Sequence, residues 1–314
     1  MGIARGTIRL LLEEHRRHPF TGCSILQLGR STVYCTRREL ARWAAWHDVR
    51  LAPVAEPRLS HDPRLARQGC LDDRTFFSSL GFAEVRSCDI ADWEGADYLF
   101  DLNRPAPEEL HGRFDVVFET GTSVQVFDLP ELLHNVHRLL APGGRAIHAA
   151  VPSNNHVDLG FYMACPTLFA DYYAANGYSL DAQYLCEYVP YWHAARLHSE
   201  PWKIYRYTPG SLDAASYGRF GGRQVAVFAV ATKAEGATGG VVPQLGQYRR
   251  SWERYADRAA HPAAPAGELA RVGRLEGLLR RHPALARATR PAKWLVERLH
   301  RLRPGPMPPL VARY

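Results

Sequence analysis

The chain has 314 residues, 46% apolar and 23% charged, a balance that fits a folded globular protein and excludes fibrous or largely disordered classes. No stretch approaches the ~18 apolar residues of a membrane span, and residues 1–9 hold no apolar run of signal-peptide length, so the expected compartment is the cytoplasm. The six cysteines form no Cys-x-x-Cys pair and the histidines no His-Glu-x-x-His motif, so neither a disulfide framework nor a metal site is expected.

In chain order, residues 1–22 read as an N-terminal helix and residues 24–29, SILQLG, as a first buried strand. An insertion follows near 45–82. Within it, Asp72-Asp73 before Phe76-Phe77 and Leu80-Gly81 marks a capped helix that ends in glycine. Residues 85–90 and 98–103 read as strands, the first ending at Asp89 and the second at Asp101-Leu102-Asn103. Asp115 then opens a short apolar run, Glu119 to Ser123 supplies small polar loop residues, and Leu129, Leu132, Leu133, Val136 and Leu139 recur at helical spacing. Pro142-Gly143-Gly144 is expected to end that helix before a strand over 146–151. This is one complete parallel crossover, and a ligand of such a unit lies outside the carboxyl ends of its strands.

The Asp-led strand, the helix ending Leu-Leu-x-Pro-Gly-Gly and the apolar strand after it together resemble the second half of a class I S-adenosylmethionine-dependent methyltransferase. The resemblance covers roughly residues 23–232 and is most specific between Asp89 and Pro152. It implies an α/β fold with a doubly wound, mostly parallel seven-stranded sheet. Residues 184–189 and 224–232 would be its final antiparallel pair, and S-adenosylmethionine its cofactor. The family's first turn carries an acidic residue followed by alternating glycines, whereas this chain has Gln27, then Gly29 as the one clear glycine, then Arg30, Ser31 and Thr32. By resemblance, Gln27 and Gly29 would border the methionine half of the cofactor, Asp89 the ribose, and Asp101 and Leu102 the adenine. Glu119 and Thr120 would line the methionine side, Glu119 being placed to supply the charge that Gln27 lacks. An Asp after a strand also serves as a turn former or helix cap, so both Asp89 and Asp101 have a purely structural alternative.

On the acceptor side, Ser153 to Asp158 is a polar loop before an aromatic helix. His156 is the preferred catalytic base because imidazole titrates near neutral pH. Asn155, Phe161 and Tyr162 are the candidate acceptor contacts, although aromatics at such spacing also build cores. A long aromatic and basic insertion occupies 190–223.

The domain reading is therefore a helix over 1–22, a methyltransferase-like domain over 23–235 and a Pro/Ala-rich helical tail over 236–314. From Gly246 to Tyr314 there are 15 Lys or Arg against 5 Asp or Glu, so the basic character belongs to the tail. Its partners are read as the core itself, a partner protein or an anionic surface. The expected function is methyl transfer to oxygen or nitrogen of a small-molecule or glycan intermediate. The rival is an inactive descendant kept as a binding or scaffold subunit; a dinucleotide oxidoreductase is third, because the first turn lacks Gly-x-Gly-x-x-Gly.

Overall fold

The computed structural model describes residues 2–189, 202–209, 211, 223–246, 249, 281, 284, 294 and 308–314. The chain divides into two units, and nearly all of the second, Pro209–Gly221 with Gln244–Pro308, lies outside the described residues. Most of the tail expected to be helical, and most of the 190–223 insertion, lie outside the described residues too. Among the described residues no helix is long and apolar enough to cross a membrane.

The first unit, Met1–Thr208 with Gly222–Pro243 and Pro309–Tyr314, is built on one large sheet. Its parallel strands are β2 (Ser24–Leu28), β4 (Glu84–Asp89), β5 (Tyr98–Leu99), β6 (Phe114–Glu119) and β7 (Leu140–Asn154). β8 (Ser179–Tyr188), β9 (Trp202–Arg206), β10 (Gln224–Thr232) and β11 (Leu310–Arg313) extend it antiparallel, giving the order β11-β9-β8-β10-β7-β6-β2-β4-β5. A separate two-stranded ribbon pairs β1 (Gly2–Ile3) with β3 (Thr32–Val33).

Two expectations are corrected here. Among the described residues the sheet has nine strands and mixed direction, not seven, and its last strand comes from the tail: Leu310–Arg313 pairs with Trp202–Arg206, inside the segment read as an insertion. The tail is therefore not purely helical. The five-strand parallel run and the antiparallel placement of residues 224–232 between β7 and β8 do match the order implied by the resemblance.

Local sequence explains the helices that position these strands. Helix α1 (Arg5–Arg17) buries Ile8, Leu11 and Leu12, and α2 (Arg37–Trp46) opens with a capping box between Thr36 and Glu39. After the short α3 (Pro63–Arg67), Asp72 caps α4 (Asp73–Ser79) by accepting from Thr75 N at 2.7 Å, as its sequence suggests. In α5 (Leu129–Leu139) the apolar stripe Leu132, Leu133, Val136 and Leu139 is buried, while Lys233 Nζ donates to the carbonyls of His137 and Leu140 at the far end. No separate turn follows: β7 begins at Leu140, and Pro142-Gly143-Gly144 lies within it, where the pairing with β6 shifts register. Helix α6 (Pro166–Ala175) covers the antiparallel side. Phe76, Phe77 and Phe118 lie in the core between α4 and the sheet, with the Phe77 and Phe118 rings 5.2 Å apart. Burying each contributes about 1.5–3 kcal/mol.

From β2 the chain steps outward to β4 and β5, then returns to β6 and steps the other way to β7. The carboxyl ends of β2 and β6 therefore flank a topological switch point, where the loops diverge and leave a crevice.

Candidate functional site

Gly29 follows β2 with φ +77°, a conformation that a side chain would strain, and its N–H donates to the Cys88 carbonyl at 2.8 Å. A Cβ at this position would lie 3.1 Å from Thr122 Oγ1. The chain does not pass from Gly29 into a helix. It forms β3 first, and α2 starts only at Arg37, so the helix that follows does not begin at the turn. Arg30 is folded back instead, with its guanidinium 3.1 Å from Asp73 and donating to the Glu94 carbonyl. Gln27 departs from its expected role. It is fully buried and its Nε2 donates to Asp73 Oδ2 at 2.8 Å, so it braces β2 against α4; Oε1 has no partner.

At the next strand end, Asp89 is half-buried and accepts from Ile90 N at 2.7 Å, which leaves its second oxygen available. The neighbouring Ile90 is 70% exposed and Trp93 91%, an apolar border beside a carboxylate. Asp101 accepts from the backbone and side chain of Asn103 at 2.9 and 2.7 Å, and these bonds hold its pKa below the usual carboxylate value. Asn103 in turn accepts from Asp128 N at 2.9 Å. Asp101 thus builds a turn, as its structural alternative anticipated. Leu102 is buried, with its carbonyl bonded to Asn135, so the apolar side chain open to a ligand here is Ile90.

Glu119 is also corrected. Its carboxylate is buried and fully engaged: Oε2 accepts from Gly121 N at 3.0 Å and Ser123 N at 2.9 Å, while Oε1 accepts from Ser123 Oγ at 2.7 Å and meets His148 Nδ1 at 2.7 Å. His148 Nε2 continues the chain to Tyr173 Oη at 2.5 Å. Burial alone would raise the Glu119 pKa; the bond and charge of His148 and the Ser123 donors outweigh it and hold the carboxyl below its ordinary value. It supplies no charge to the crevice. What it fixes is the turn Gly121–Val124. From that turn Thr122 Oγ1 donates to the Leu28 carbonyl at 2.5 Å, and the Val124 carbonyl accepts from Phe161 N at 2.7 Å. Tyr162 Oη donates to the Phe127 carbonyl at 2.8 Å, and the exposed Phe127 and Phe161 rings meet edge to face at 5.4 Å. One turn thereby ties the loop after β2 to the loop after β7.

On the β7 side, a cavity of about 250 Å³ opens against Thr120, Ala150, Pro152 and His156. His156 is buried, its Nε2 lies 2.7 Å from Tyr188 Oη, and burial pushes its pKa below the ordinary value, with the Asn154 backbone opposing. The Tyr188 ring stacks on Trp202 at 4.6 Å and 9°. Of the expected residues, only Thr120 and His156 come together on this wall. Asn155, at φ +58°, donates its Nδ2 to the Arg223 carbonyl at 2.6 Å and is not part of the described lining, nor are the exposed Phe161 and Tyr162. Tyr34, Tyr188, Trp202 and Gln224 also belong to the described lining, and no sequence motif marks them. They come from four separate stretches, brought together by the β1–β3 ribbon and the antiparallel strands.

No family model matches the chain, and no curated protein matches it. Solved structures similar to it include S-adenosylmethionine-dependent methyltransferases. One from Mesorhizobium loti is 13% identical, with 72% of this chain and 98% of that chain covered at a TM-score of 0.35. A 1,6-didemethyltoxoflavin-N1-methyltransferase from Burkholderia thailandensis, with S-adenosylhomocysteine bound, is 14% identical over 72% and 76% of the two chains at 0.35. The YcgJ protein from Bacillus subtilis is 12% identical over 74% and 100% at 0.39. Likenesses this distant transfer no residue roles.

Proposed function

We propose that the protein binds S-adenosylmethionine in the switch-point crevice and transfers its methyl group to oxygen or nitrogen of a small molecule or glycan intermediate. The observation that carries this reading is the position of Thr120. It follows β6 directly at the switch point, and it also lines the cavity that contains His156. A donor site and an acceptor site would share that wall, as group transfer between two bound molecules requires.

The side chains present suit the nucleoside half of the cofactor. Asp89 offers a carboxylate oxygen for ribose hydroxyls, and Ile90 an exposed apolar surface for a base. Gly29 lets the backbone approach closely. Neither Gln27 nor Glu119 would offer the methionine half a charge, since both are buried and bonded elsewhere. Gln27 Oε1, two residues before Gly29, is buried without a partner. When bound, the cofactor supplies an electrophilic methyl group. The chain's own part is to orient the acceptor and to receive a proton at His156, whose burial lowers its pKa and so keeps the imidazole neutral at pH 7, though a weaker base than a free one.

The scaffold reading keeps one specific support. Arg30 ties the turn to Asp73 and to the Glu94 carbonyl where a glycine-rich turn would stay open. Calorimetry decides between them. S-adenosylhomocysteine should bind in the micromolar range, about −7 to −8 kcal/mol, and Asp89→Ala should weaken it by about 1.5–3 kcal/mol through loss of a charge-assisted hydrogen bond. No heat and no thermal shift at millimolar ligand would establish the scaffold. Unchanged affinity in Asp89→Ala, with a lower melting temperature, would make Asp89 a structural cap.

A further inference from the structure

Arg30 joins three separate stretches at the Gly29 turn, and on the premise that the methyl-transfer reading holds, this gives it a task. Its Nε and Nη2 lie 3.2 and 3.1 Å from Oδ1 of Asp73, the first residue of α4. Gln27 Nε2 donates to Asp73 Oδ2 at 2.8 Å, so both oxygens of a carboxylate only 1% exposed are engaged. The other arm of the guanidinium, Nη1, donates to the Glu94 carbonyl and lies 3.5 Å from the Gly95 carbonyl. Both residues belong to the loop between β4 and β5, where Gly95 N donates to the Asp92 carbonyl at 2.8 Å. The Glu94 carboxylate in turn lies 3.8 Å from His61 Nε2.

That loop begins at Ile90, directly after Asp89, and also carries the exposed Trp93. Side chains this exposed contribute little packing to define the loop's path, so its position depends on its polar anchors. A guanidinium suits the task. Its planar fork meets a carboxylate on one edge and a carbonyl on another at the same time, and the buried Asp73 fixes where the fork stands. A loop set in place beforehand spares the ligand the cost of ordering it.

We propose that Arg30 is a positioning residue for the nucleoside half of the cofactor: braced on Asp73, it holds the loop after β4 through the Glu94 carbonyl, where Asp89 and Ile90 would meet a bound nucleoside. The scaffold reading takes the same contacts as a closed turn. The two differ in sign, since loosening a brace weakens binding and loosening a bar strengthens it.

Two variants release the loop from opposite sides. Arg30→Lys keeps a cation for Asp73 and loses the second arm, while Gly95→Ala sets a Cβ 3.2 Å from Arg30 Nη1 on a residue at φ +70°. The full chain and both variants are titrated calorimetrically with adenosine and with S-adenosylhomocysteine, and followed by hydrogen exchange without ligand. Each variant should weaken both ligands by the same factor, about tenfold or more. Amides of residues 90–97 should exchange at least tenfold faster, and those of 121–128 at the parent rate. Tighter binding in either variant would make Arg30 a bar, and a loss confined to S-adenosylhomocysteine would move its action to the methionine half; either overturns the assignment. So would faster exchange in both segments, which is the mark of a merely structural role. If the parent binds neither ligand, the cofactor reading fails and this role with it. If the parent binds and the variants match it, this role alone fails.

Discussion

Glu119→Gln separates a carboxylate that builds a turn from one that meets a ligand. The four hydrogen bonds of Glu119 run to Gly121 N, Ser123 N, Ser123 Oγ and His148 Nδ1. An amide keeps one acceptor oxygen, and the two backbone N–H groups require it at the Oε2 position. Its NH₂ then faces Ser123 Oγ, which can rotate to accept, and His148, which can move its proton to Nε2 and donate to Tyr173. The shape survives, and the charge assistance is lost. Ionic hydrogen bonds exceed neutral ones by about 1 kcal/mol each, so the expected loss is about 2–4 kcal/mol. At about 2–4 °C per kcal/mol for a domain of this size, the melting temperature should fall by about 10 °C. His148→Gln should act on the same network, and the double mutant should show a coupling of about 1–3 kcal/mol rather than additivity. Both single variants should weaken S-adenosylhomocysteine to a similar degree, because each loosens the turn that Thr122 pins to Leu28. Calorimetry and thermal melts on the four proteins give all these quantities. The reasoning fails if Glu119→Gln loses ligand affinity at unchanged stability while His148→Gln keeps it, or if the two changes add within about 0.5 kcal/mol.

Deleting residues 310–314 should destabilise the first unit by about 2–4 kcal/mol, from a lost half-buried aromatic ring and its cation–π contact. Tyr314 exchanges both backbone bonds with Trp202 and lies under the Arg9 guanidinium at 4.2 Å. An unchanged melting temperature would show that the strand only decorates the sheet. Acid should weaken the fold through His137, whose pKa is held to about 4 by burial and by Lys233, Arg138 and His134. The unfolded chain takes up this proton near the ordinary value of about 6.5 and the folded one only near 4, so stability is full above 6.5, falls as pH drops toward 4, and levels off below. Denaturant midpoints across pH 4–7 should slope less in His137→Gln; identical slopes would remove His137 from the cause.

The centre of the parallel frame is readable because β2 and β6 are short, mainly apolar runs between turn residues. Residues 224–232 were placed to the residue for the same reason. The Asp72 cap of α4 was equally legible, since its signal is local. The roles of Gln27 and Glu119 were not, because each is decided by a partner distant in sequence. Asp73 reaches Gln27 only once α4 packs on β2, and the β6–β7 register sets His148 beside Glu119. That second pairing could have been found by aligning the two strands residue against residue, which brings an acid and an imidazole side by side. β9 and β11 escaped notice because five and four residues interrupted by charge and flanked by proline carry too weak an alternation.

The outer position of β11 bears on how the molecule keeps apart from its own kind. A sheet margin offers unpaired N–H and C=O groups to any neighbouring chain. At one margin the exposure is limited by length, since β5 has two residues. At the other, β11 is four residues long, follows Pro309, which has no N–H to offer, and ends at the charged Arg313. Beneath it, Trp202–Arg206 is one residue longer, with Trp202 and Ile204 almost fully buried. β11 thus replaces an adhesive margin with a poor template, and a chain deprived of it would be expected to aggregate in concentrated solution through that uncovered strand.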